Sequence, residues 1–375
     1  MIYLDNAATT YPKPECVYLA LDKANRNAFN TGRGSYKVAR EASNVKENVR
    51  KKIMQLNNIK NANVVYTNSA TTALNDIIFG IELNRGDYVY VTPFEHNSII
   101  RPLEELKKRK EIKVEIIPFD KKNWKIDIEK TSDMFALHKP SAIFVSQISN
   151  VTGYELPYNM IFEMGKKYDS INILDASQGY GIVKINNYID INYIVFAGHK
   201  SLYASFGIAG YIKLKSDKIK SNIFGGTGTD TMNPNMPENI PDGYEAGSPN
   251  IVAISSLNAS IDWLNEVNIY EHEKELTDYL IQRLKLNNKI KVYIPNEIKN
   301  IFGVVSFSIK GYDSEDVGKI LDEEYNICVR TGFHCAPLIH DFIGSIESKG
   351  TVRIGLSYFN TKEDIDALIE ALKTF

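Results

Sequence analysis

Short apolar runs alternate with amphipathic stretches through the first 213 residues of the chain. The runs are typical of strands buried on both faces of a sheet, and the stretches between them have a helical period. The predicted strands lie at 63–67, 88–91, 114–117, 142–146, 171–174, 193–196 and 209–212. Strands that alternate with helices predict an α/β fold with a mostly parallel central sheet covered on both faces.

The pattern changes after the last of these strands. Residues 221–250 are rich in Gly, Pro, Asn and Thr and show no period, so we expect this stretch to be functional or to lie at an interface. A long helix at 251–264 follows, and helices then alternate with a few strands. We predict a large domain at 15–255 and a smaller α+β domain at 256–375, to which residues 1–14 are also assigned.

Composition and charge exclude several classes of protein. The 375 residues are 43% hydrophobic and 24% charged, as in ordinary globular proteins. A net charge of -2 gives no electrostatic reason to expect nucleic acid or a membrane surface as a partner. The chain shows no run of 18 apolar residues and no signal pattern at its start. Its three cysteines are too few for a disulfide framework, so we expect free thiols and a cytoplasmic location.

Two polar side chains follow apolar runs at a spacing of about one βα unit. Asp175 ends the run 171–174, and Lys200 follows the run 191–196 after an Ala-Gly pair. A desolvated lysine can form a Schiff base with an aldehyde. A strand-end aspartate nearby is what pyridoxal phosphate (PLP) needs, because the carboxylate keeps its pyridinium nitrogen protonated. The alternative is that Lys200 is an ordinary solvated loop lysine.

These motifs resemble the class V aminotransferases, the fold-type I PLP enzymes that include the cysteine desulfurases. The resemblance rests on Asp-Ala-Ser-Gln at 175–178 and Gly-His-Lys at 198–200, and it extends from 3–8 to 353–360. It implies a fold-type I architecture, PLP as cofactor and a homodimer. As a cysteine desulfurase, the chain is expected to take sulfur from L-cysteine, leave L-alanine and pass the sulfur to an acceptor protein, as in iron–sulfur cluster assembly.

The resemblance also assigns residues to the cofactor. His96 matches the histidine that stacks on the PLP ring, and an imidazole that titrates near neutrality suits proton transfer. Ser248 lies in a segment that, in the family, reaches the PLP phosphate of the partner subunit. Ala197 stands where the family often has a hydroxyl. The expected cofactor-binding residues are Ala70, Thr71, Thr72, His96, Asp175, Gln178, His199, Lys200 and Ser248.

The turn before Ala70 and the side chain of Arg353 can each be interpreted as functional or as structural. The turn before the helix that begins near Ala70 can bind an anion through free backbone N–H groups, or it can be a simple N-cap. Arg353 lies on a predicted strand, where its planar fork fits the carboxylate of an amino acid or forms a structural ion pair. With the resemblance, which assigns Asn150 and Arg353 to the substrate, the expected substrate-binding residues are Asn150, Arg353 and Arg330.

Cys335 is the expected nucleophile. It lies in a loop bounded by Gly and Pro, with His334 adjacent and Arg330 nearby, and cationic neighbours favour the reactive thiolate. The composition of this loop predicts that it is flexible. The matching loop of the desulfurases has a histidine where this chain has Phe333. Together with Lys200 and His96, Cys335 completes the expected catalytic set.

Three alternatives stay open. A zinc site in this loop has a spacing that matches no common zinc motif, and we expect no metal. Its nominal ligands are Cys328, His334, Cys335 and His340. Another class V reaction, such as that of a selenocysteine lyase, a cysteine lyase or an aminotransferase, makes Cys335 dispensable. A non-catalytic, PLP-bound sulfur carrier predicts no turnover at all.

Overall fold

Helices and strands alternate along the chain as the hydrophobic pattern predicts. A computed structural model describes residues 1–27, 30–31, 34–186, 188–215 and 219–375. The elements up to the end of the central sheet are β1 (Ile2–Tyr3), α1 (Glu15–Asn27), α2 (Lys37–Leu56), β2 (Asn63–Thr67), α3 (Ala70–Gly80), β3 (Tyr88–Val91), α4 (Asn97–Lys110), β4 (Lys113–Ile116), α5 (Ile128–Leu137), β5 (Pro140–Ser146), α6 (Tyr158–Lys166), β6 (Ile171–Asp175), β7 (Tyr193–Ala197) and β8 (Ala209–Lys213).

The remaining elements belong to the C-terminal third of the chain. They are α7 (Ile251–Leu264), α8 (Ile269–Lys285), β9 (Ile290–Val292), β10 (Val304–Ile309), α9 (Ser314–Tyr325), β11 (Ile327–Cys328), β12 (Arg330–Gly332), α10 (Ile339–Ile343), β13 (Thr351–Gly355) and α11 (Lys362–Ala371). Short 3-10 turns lie at Asp242–Tyr244, Ile298–Asn300 and Leu372–Thr374. Among the described residues, no helix combines the length and the apolar content needed to cross a membrane.

Seven strands form the central sheet, in the order β2-β8-β7-β6-β5-β3-β4. The pairs from β7 to β4 are parallel, whereas β8 runs antiparallel to both β7 and β2. The predicted α/β fold with a mostly parallel sheet is therefore confirmed. Because β2 points in the same direction as the parallel strands, its carboxyl end lies at the same edge as theirs.

Both faces of this sheet are covered. Alternate residues of a strand point to opposite faces. On β5, Ile143 and Val145 pack into one apolar cluster, whereas Ala142 and Phe144 pack into a second cluster with α3 and α4. Two buried faces explain why the strands read as continuous apolar runs in the sequence.

The C-terminal third forms a separate antiparallel sheet in the order β12-β13-β10-β9. Helices α8 and α9 pack against it, and α11 packs on α8. Strand β1 pairs in parallel with β11, so the first residues of the chain join this C-terminal part. The division into a domain of 15–255 and a domain of 1–14 with 256–375 stays a prediction.

Two short strands lie on either side of Val329, and they join different sheets. Strand β11 pairs with β1, and β12 pairs with β13. Because Val329 lies between them, the chain passes from one sheet to the other just before the loop that carries Cys335.

Candidate active site

The carboxyl edge of the central sheet gathers most of the predicted site residues. Strand β6 ends at Asp175, β7 leads into Lys200, and His96 follows β3. These side chains line a single cavity, called here the Lys200 cavity. Its lining residues are Ser69, Ala70, Thr71, His96, Ser98, Ser146, Ile148, Asn150, Asp175, Ser177, Gln178, Ala197, His199 and Lys200.

Lys200 carries an amine with a lowered proton affinity. Desolvation lowers the pKa of Lys200 to about 8, and the charges of Arg353 and Arg330 act in the same direction, against the opposing effect of Asp175. Above that pH the amine is neutral and can attack a carbonyl carbon. A lysine on a solvated loop would keep its ordinary pKa. The lowered pKa of Lys200 therefore argues against the alternative that it is an ordinary solvated loop lysine.

Asp175 is buried and held in one orientation. Its Oδ1 accepts hydrogen bonds from the backbone N–H and the hydroxyl of Ser177, at 3.0 and 2.5 Å. Within the part of the chain that the structure describes, no group donates to Oδ2. The second carboxylate oxygen is therefore available to a cationic N–H in the cavity.

Glu95 is a second buried carboxylate at this edge, and the sequence analysis did not single it out. The Thr92 hydroxyl and the Ser146 backbone N–H donate to Oε1 at 2.6 and 3.0 Å, and the Ser146 hydroxyl donates to Oε2 at 2.7 Å. Burial raises the pKa of Glu95 to about 7, against these three hydrogen bonds. Glu95 thereby orients Ser146, a lining residue. The only sequence signal was an acidic residue directly before His96.

Both site histidines are neutral at neutral pH. Desolvation, helped by the nearby Lys200 charge, lowers the pKa of His96 and of His199 to about 3. The expectation that His96 titrates near neutrality is therefore wrong. His96 Nδ1 accepts from the Ser98 N–H at 3.1 Å, which places the ring proton on Nε2. The His199 ring stacks on Phe206, and its Nδ1 is buried without a partner among the described residues.

The start of α3 has both an N-cap and backbone N–H groups that are free to bind an anion. Ser69 caps the helix by accepting from the Thr72 N–H at 3.1 Å, and the Thr72 hydroxyl donates to Asn68 at 2.6 Å. Thr72 therefore serves the cap and does not line the Lys200 cavity. The N–H groups of Ala70 and Thr71 belong to the first turn, where no helix carbonyl is available to them, and both residues line the cavity.

Ser248 lies apart from the Lys200 cavity. It is exposed and, together with Thr72, lines a neighbouring cavity. The segment that carries it is anchored by Glu245, which accepts from Arg50 Nη2 at 2.6 Å and from the Tyr66 backbone N–H at 2.7 Å. Within one chain, the structure does not bring Ser248 to Lys200.

Arg353 is buried, with a relative exposure of 1%, and two of its nitrogens are occupied. One Nη donates to Asp5 at 2.6 Å, and the other donates to the Asn150 carbonyl at 3.0 Å. Its Nε is buried without a partner among the described residues. The structure thus contains the ion pair considered as an alternative, and Nε is the one guanidinium nitrogen without a partner among the described residues.

Cys335 is the one exposed cysteine, whereas Cys16 and Cys328 are half-buried. Nη2 of Arg330 lies 3.5 Å from the Cys335 sulfur, so a positive charge stands where an anionic nucleophile requires it. Over the described residues, no group of three His, Cys, Asp or Glu side chains is placed to hold a metal ion.

The Cys335 loop makes hydrogen bonds to several other parts of the chain, and its flexibility stays a prediction. Three successive carbonyl groups, those of residues 333, 334 and 335, each accept a hydrogen bond from another part of the chain. Their donors are His340 Nε2 at 3.0 Å, Asn150 Nδ2 at 2.8 Å and the Asn97 N–H at 2.7 Å. Composition alone could not reveal these partners because two of them lie far away in sequence.

Comparisons with known proteins cover the whole chain. A family model described as Aminotransferase class-V matches residues 2–368. A probable cysteine desulfurase of Methanothermobacter thermautotrophicus is 30% identical, over 99% of this chain and 94% of the relative. A cysteine desulfurase of Wigglesworthia glossinidia brevipalpis is also 30% identical, over 99% of this chain and 92% of the relative.

Solved structures agree with this result. The apo structure of a cysteine desulfurase from Thermococcus onnurineus NA1 matches with a TM-score of 0.90 and 26% identity. The match covers 100% of this chain and 94% of the other. The predicted fold-type I architecture is therefore confirmed.

Proposed function

We propose that this chain, which belongs to the aminotransferase class-V family, is a PLP-dependent cysteine desulfurase. L-Cysteine and the Cys335 thiol would give L-alanine and a persulfide on Cys335. The observation that carries the proposal is the exposed Cys335, with a guanidinium 3.5 Å from its sulfur and close enough to act electrostatically on Lys200. A lyase or an aminotransferase has no use for a thiol at that position.

The Lys200 cavity fits PLP in four respects. It offers an amine with a pKa of about 8 for the aldehyde, and the free Oδ2 of Asp175 for the pyridinium N–H. The N–H groups at the start of α3 suit a phosphate, and the partnerless Nδ1 of His199 can bind a polar atom. When bound, PLP supplies an electron sink for the bonds of the amino-acid substrate.

Arg353 is suited to bind the substrate carboxylate. The Asp5 ion pair and the Asn150 carbonyl fix the plane of its guanidinium, and its Nε–H has no partner among the described residues and can donate to a further acceptor. Arg330 supplies a second positive charge, which lies 3.5 Å from the Cys335 sulfur and also acts electrostatically on Arg353. A substrate held by its carboxylate at Arg353 would present its own sulfur towards Cys335.

Proton transfer falls to Lys200 and the sulfur step to Cys335. An amine with a pKa of about 8 can both accept and return a proton near neutral pH. The Cys335 sulfur would attack the substrate sulfur, so that a sulfur–sulfur bond forms while the carbon–sulfur bond of the substrate breaks. The carbon that loses sulfur gains a proton and becomes the methyl group of L-alanine. His96 stays neutral and can only donate from Nε2.

A product assay tests this proposal. The protein, supplied with PLP, L-cysteine and a dithiol reductant, should release sulfide and L-alanine in equal amounts, because the reductant frees sulfide from the Cys335 persulfide. A cysteine lyase would instead give sulfide without alanine, and an aminotransferase would give no sulfide. Either of those product patterns would contradict the proposal.

The proposal extends to the persulfide acceptor and to the cytoplasm as the place of reaction. The Cys335 sulfur is exposed, and its loop is held by three backbone hydrogen bonds. An acceptor protein or a small thiol must therefore approach the sulfur where it stands. L-Cysteine is the proposed substrate because Arg353, whose guanidinium suits a carboxylate, and the nucleophilic sulfur of Cys335 both lie close enough to Lys200 to act on its amine electrostatically.

We further propose a homodimer. Three large apolar side chains are strongly exposed on or beside the segment that carries Ser248: Phe206 at 65%, Phe224 at 75% and Met232 at 95%. Sedimentation should show a dimer, and Phe224→Asp should weaken both dimer formation and PLP affinity. Leu286→Asp, which alters a residue 79% exposed elsewhere, should change neither. A monomer that binds PLP as tightly as the unaltered protein would overturn this prediction.

A further inference from the structure

The N-terminal segment 5–13 borders the Lys200 cavity and contacts several of its parts. Asp5 binds Arg353, and the Ala7 carbonyl accepts a hydrogen bond from Gln178 Nε2 at 2.9 Å. Beyond these contacts, the segment reaches the peptide that joins His199 to Lys200. Lys13, at the end of the segment, has no role in the site described so far.

Donors from this segment converge on one oxygen, the carbonyl oxygen of His199. Lys13 Nζ lies 2.9 Å from it, the Thr10 backbone N–H donates at 3.1 Å, and the Thr9 hydroxyl donates at 3.1 Å. Lys13 Nζ also donates to the Thr10 hydroxyl at 2.6 Å. A carbonyl oxygen has two lone pairs, so these donors share them, and the Thr10 hydroxyl lies 3.3 Å from this oxygen and from the Lys200 carbonyl oxygen as well.

Lys13 is itself held in place. The proline at position 14 restricts its backbone, and its own N–H donates to the Tyr18 hydroxyl at 3.0 Å. The side chain is partly buried, and desolvation lowers the pKa of Lys13 to about 7. Most lysines are solvated, so a lysine directed inward onto a backbone carbonyl is unusual.

The His199–Lys200 peptide determines where the Lys200 side chain begins. If the peptide moved, the amine would leave its place beside Asp175 and meet more water. Lys13 does not line the Lys200 cavity, and its hydrogen bond to the His199 carbonyl connects it to the peptide that carries Lys200. Its positive charge also contributes to the low pKa of His199, together with desolvation and Lys200.

We propose that Lys13 is a positioning residue for Lys200. From the N-terminal segment, Lys13 holds the His199–Lys200 peptide in place, and this peptide sets the position of the Lys200 side chain. The inference rests on the proposed function only in taking Lys200 as the reactive amine of the site. It predicts that the environment of the Lys200 amine changes when Lys13 loses its donors, in protein that contains no cofactor.

Trace labelling with acetic anhydride tests this in PLP-free protein. The labelling of Lys200, followed by mass spectrometry as a function of pH, should have its midpoint at a pH of about 8 in the unaltered protein. In Lys13→Met the midpoint should rise by about one pH unit, since a loosened peptide lets water reach the amine. Lys13→Arg should keep the original midpoint, because a guanidinium can supply the N–H donors that the His199 carbonyl loses in Lys13→Met.

Two further variants complete the test. Lys23→Met removes an exposed positive charge from α1 and should leave the midpoint unchanged. Lys13→Ala removes the same donors without adding a long apolar side chain and should shift the midpoint in the same direction, which keeps the test decisive if Lys13→Met does not fold. An unchanged midpoint in folded Lys13→Met or Lys13→Ala would overturn the inference, as would an equal shift in Lys23→Met or a shifted midpoint in Lys13→Arg.

This measurement stands apart from the proposed function. It uses neither PLP nor L-cysteine, so a shifted midpoint supports the role of Lys13 even if the chain releases no sulfide. An unshifted midpoint in a chain that does release sulfide would remove the role of Lys13 and leave the desulfurase proposal intact.

Discussion

Cys335→Ser is expected to reduce sulfide release from L-cysteine to background, a loss of roughly 10³-fold or more, as for removal of other catalytic nucleophiles. A serine hydroxyl cannot take the place of a thiolate in attack on the substrate sulfur. The backbone hydrogen bonds that hold the loop involve only carbonyl groups, so the substitution leaves them in place. PLP binding should be unchanged, because Cys335 does not line the Lys200 cavity.

Matched controls come from the other two cysteines. Cys16 on α1 and Cys328 on β11 are half-buried and lie outside the lining of the cavity. Cys16→Ser and Cys328→Ser should therefore keep both sulfide release and the spectral response of bound PLP to L-cysteine. The measurement is sulfide and alanine for all three variants. Full turnover in Cys335→Ser would replace the desulfurase proposal with a lyase or an aminotransferase.

The placement of Asp175 and Lys200 at one edge could be predicted from the sequence. Both follow apolar runs, and the carboxyl ends of parallel strands meet at a common edge. The alternation of strands and helices also predicts that the two strands before Asp175 and Lys200 are parallel, as the structure shows for β6 and β7. This information is local, because each strand and its end can be recognised within a few residues.

The partners that complete the site could not be predicted in this way. Arg353 depends on Asp5, which lies at the other end of the chain, and the Cys335 loop depends on Asn97 and Asn150. Such pairs join residues that lie far apart in sequence, and composition carries no signal for them.

The pKa values of His96 and Glu95 also depend on the folded structure and could not be predicted from the sequence. The ordinary pKa of an imidazole suggested that His96 titrates near neutrality, but desolvation beside Lys200 lowers it to about 3. The sequence offered no reason to select Glu95, because an acidic residue after a strand is usually solvated. In the structure, burial raises the pKa of Glu95 to about 7. Burial is a property of the folded chain, so neither shift could be read from neighbouring residues.

Lys200→Ala is expected to abolish the covalent attachment of PLP and to lower sulfide release by about 10²–10⁴-fold, the usual range for loss of a general acid or base. In the proposed mechanism the amine both anchors the cofactor and carries protons. Borohydride reduction followed by peptide mapping should find the PLP label on Lys200 in the unaltered protein and no label in the variant. Lys23→Ala, which changes an exposed lysine on α1, should keep both label and activity.

The pH dependence sharpens the Lys200 prediction. Because the cavity lowers the pKa of Lys200 to about 8, the amine is increasingly neutral, and therefore nucleophilic, as the pH rises through that value. The rate at which PLP attaches to PLP-free protein should rise over the same interval and level off above it. A label on any other lysine, or an attachment rate that keeps rising towards the ordinary lysine pKa of about 10.4, would show that Lys200 is not the amine that holds the cofactor.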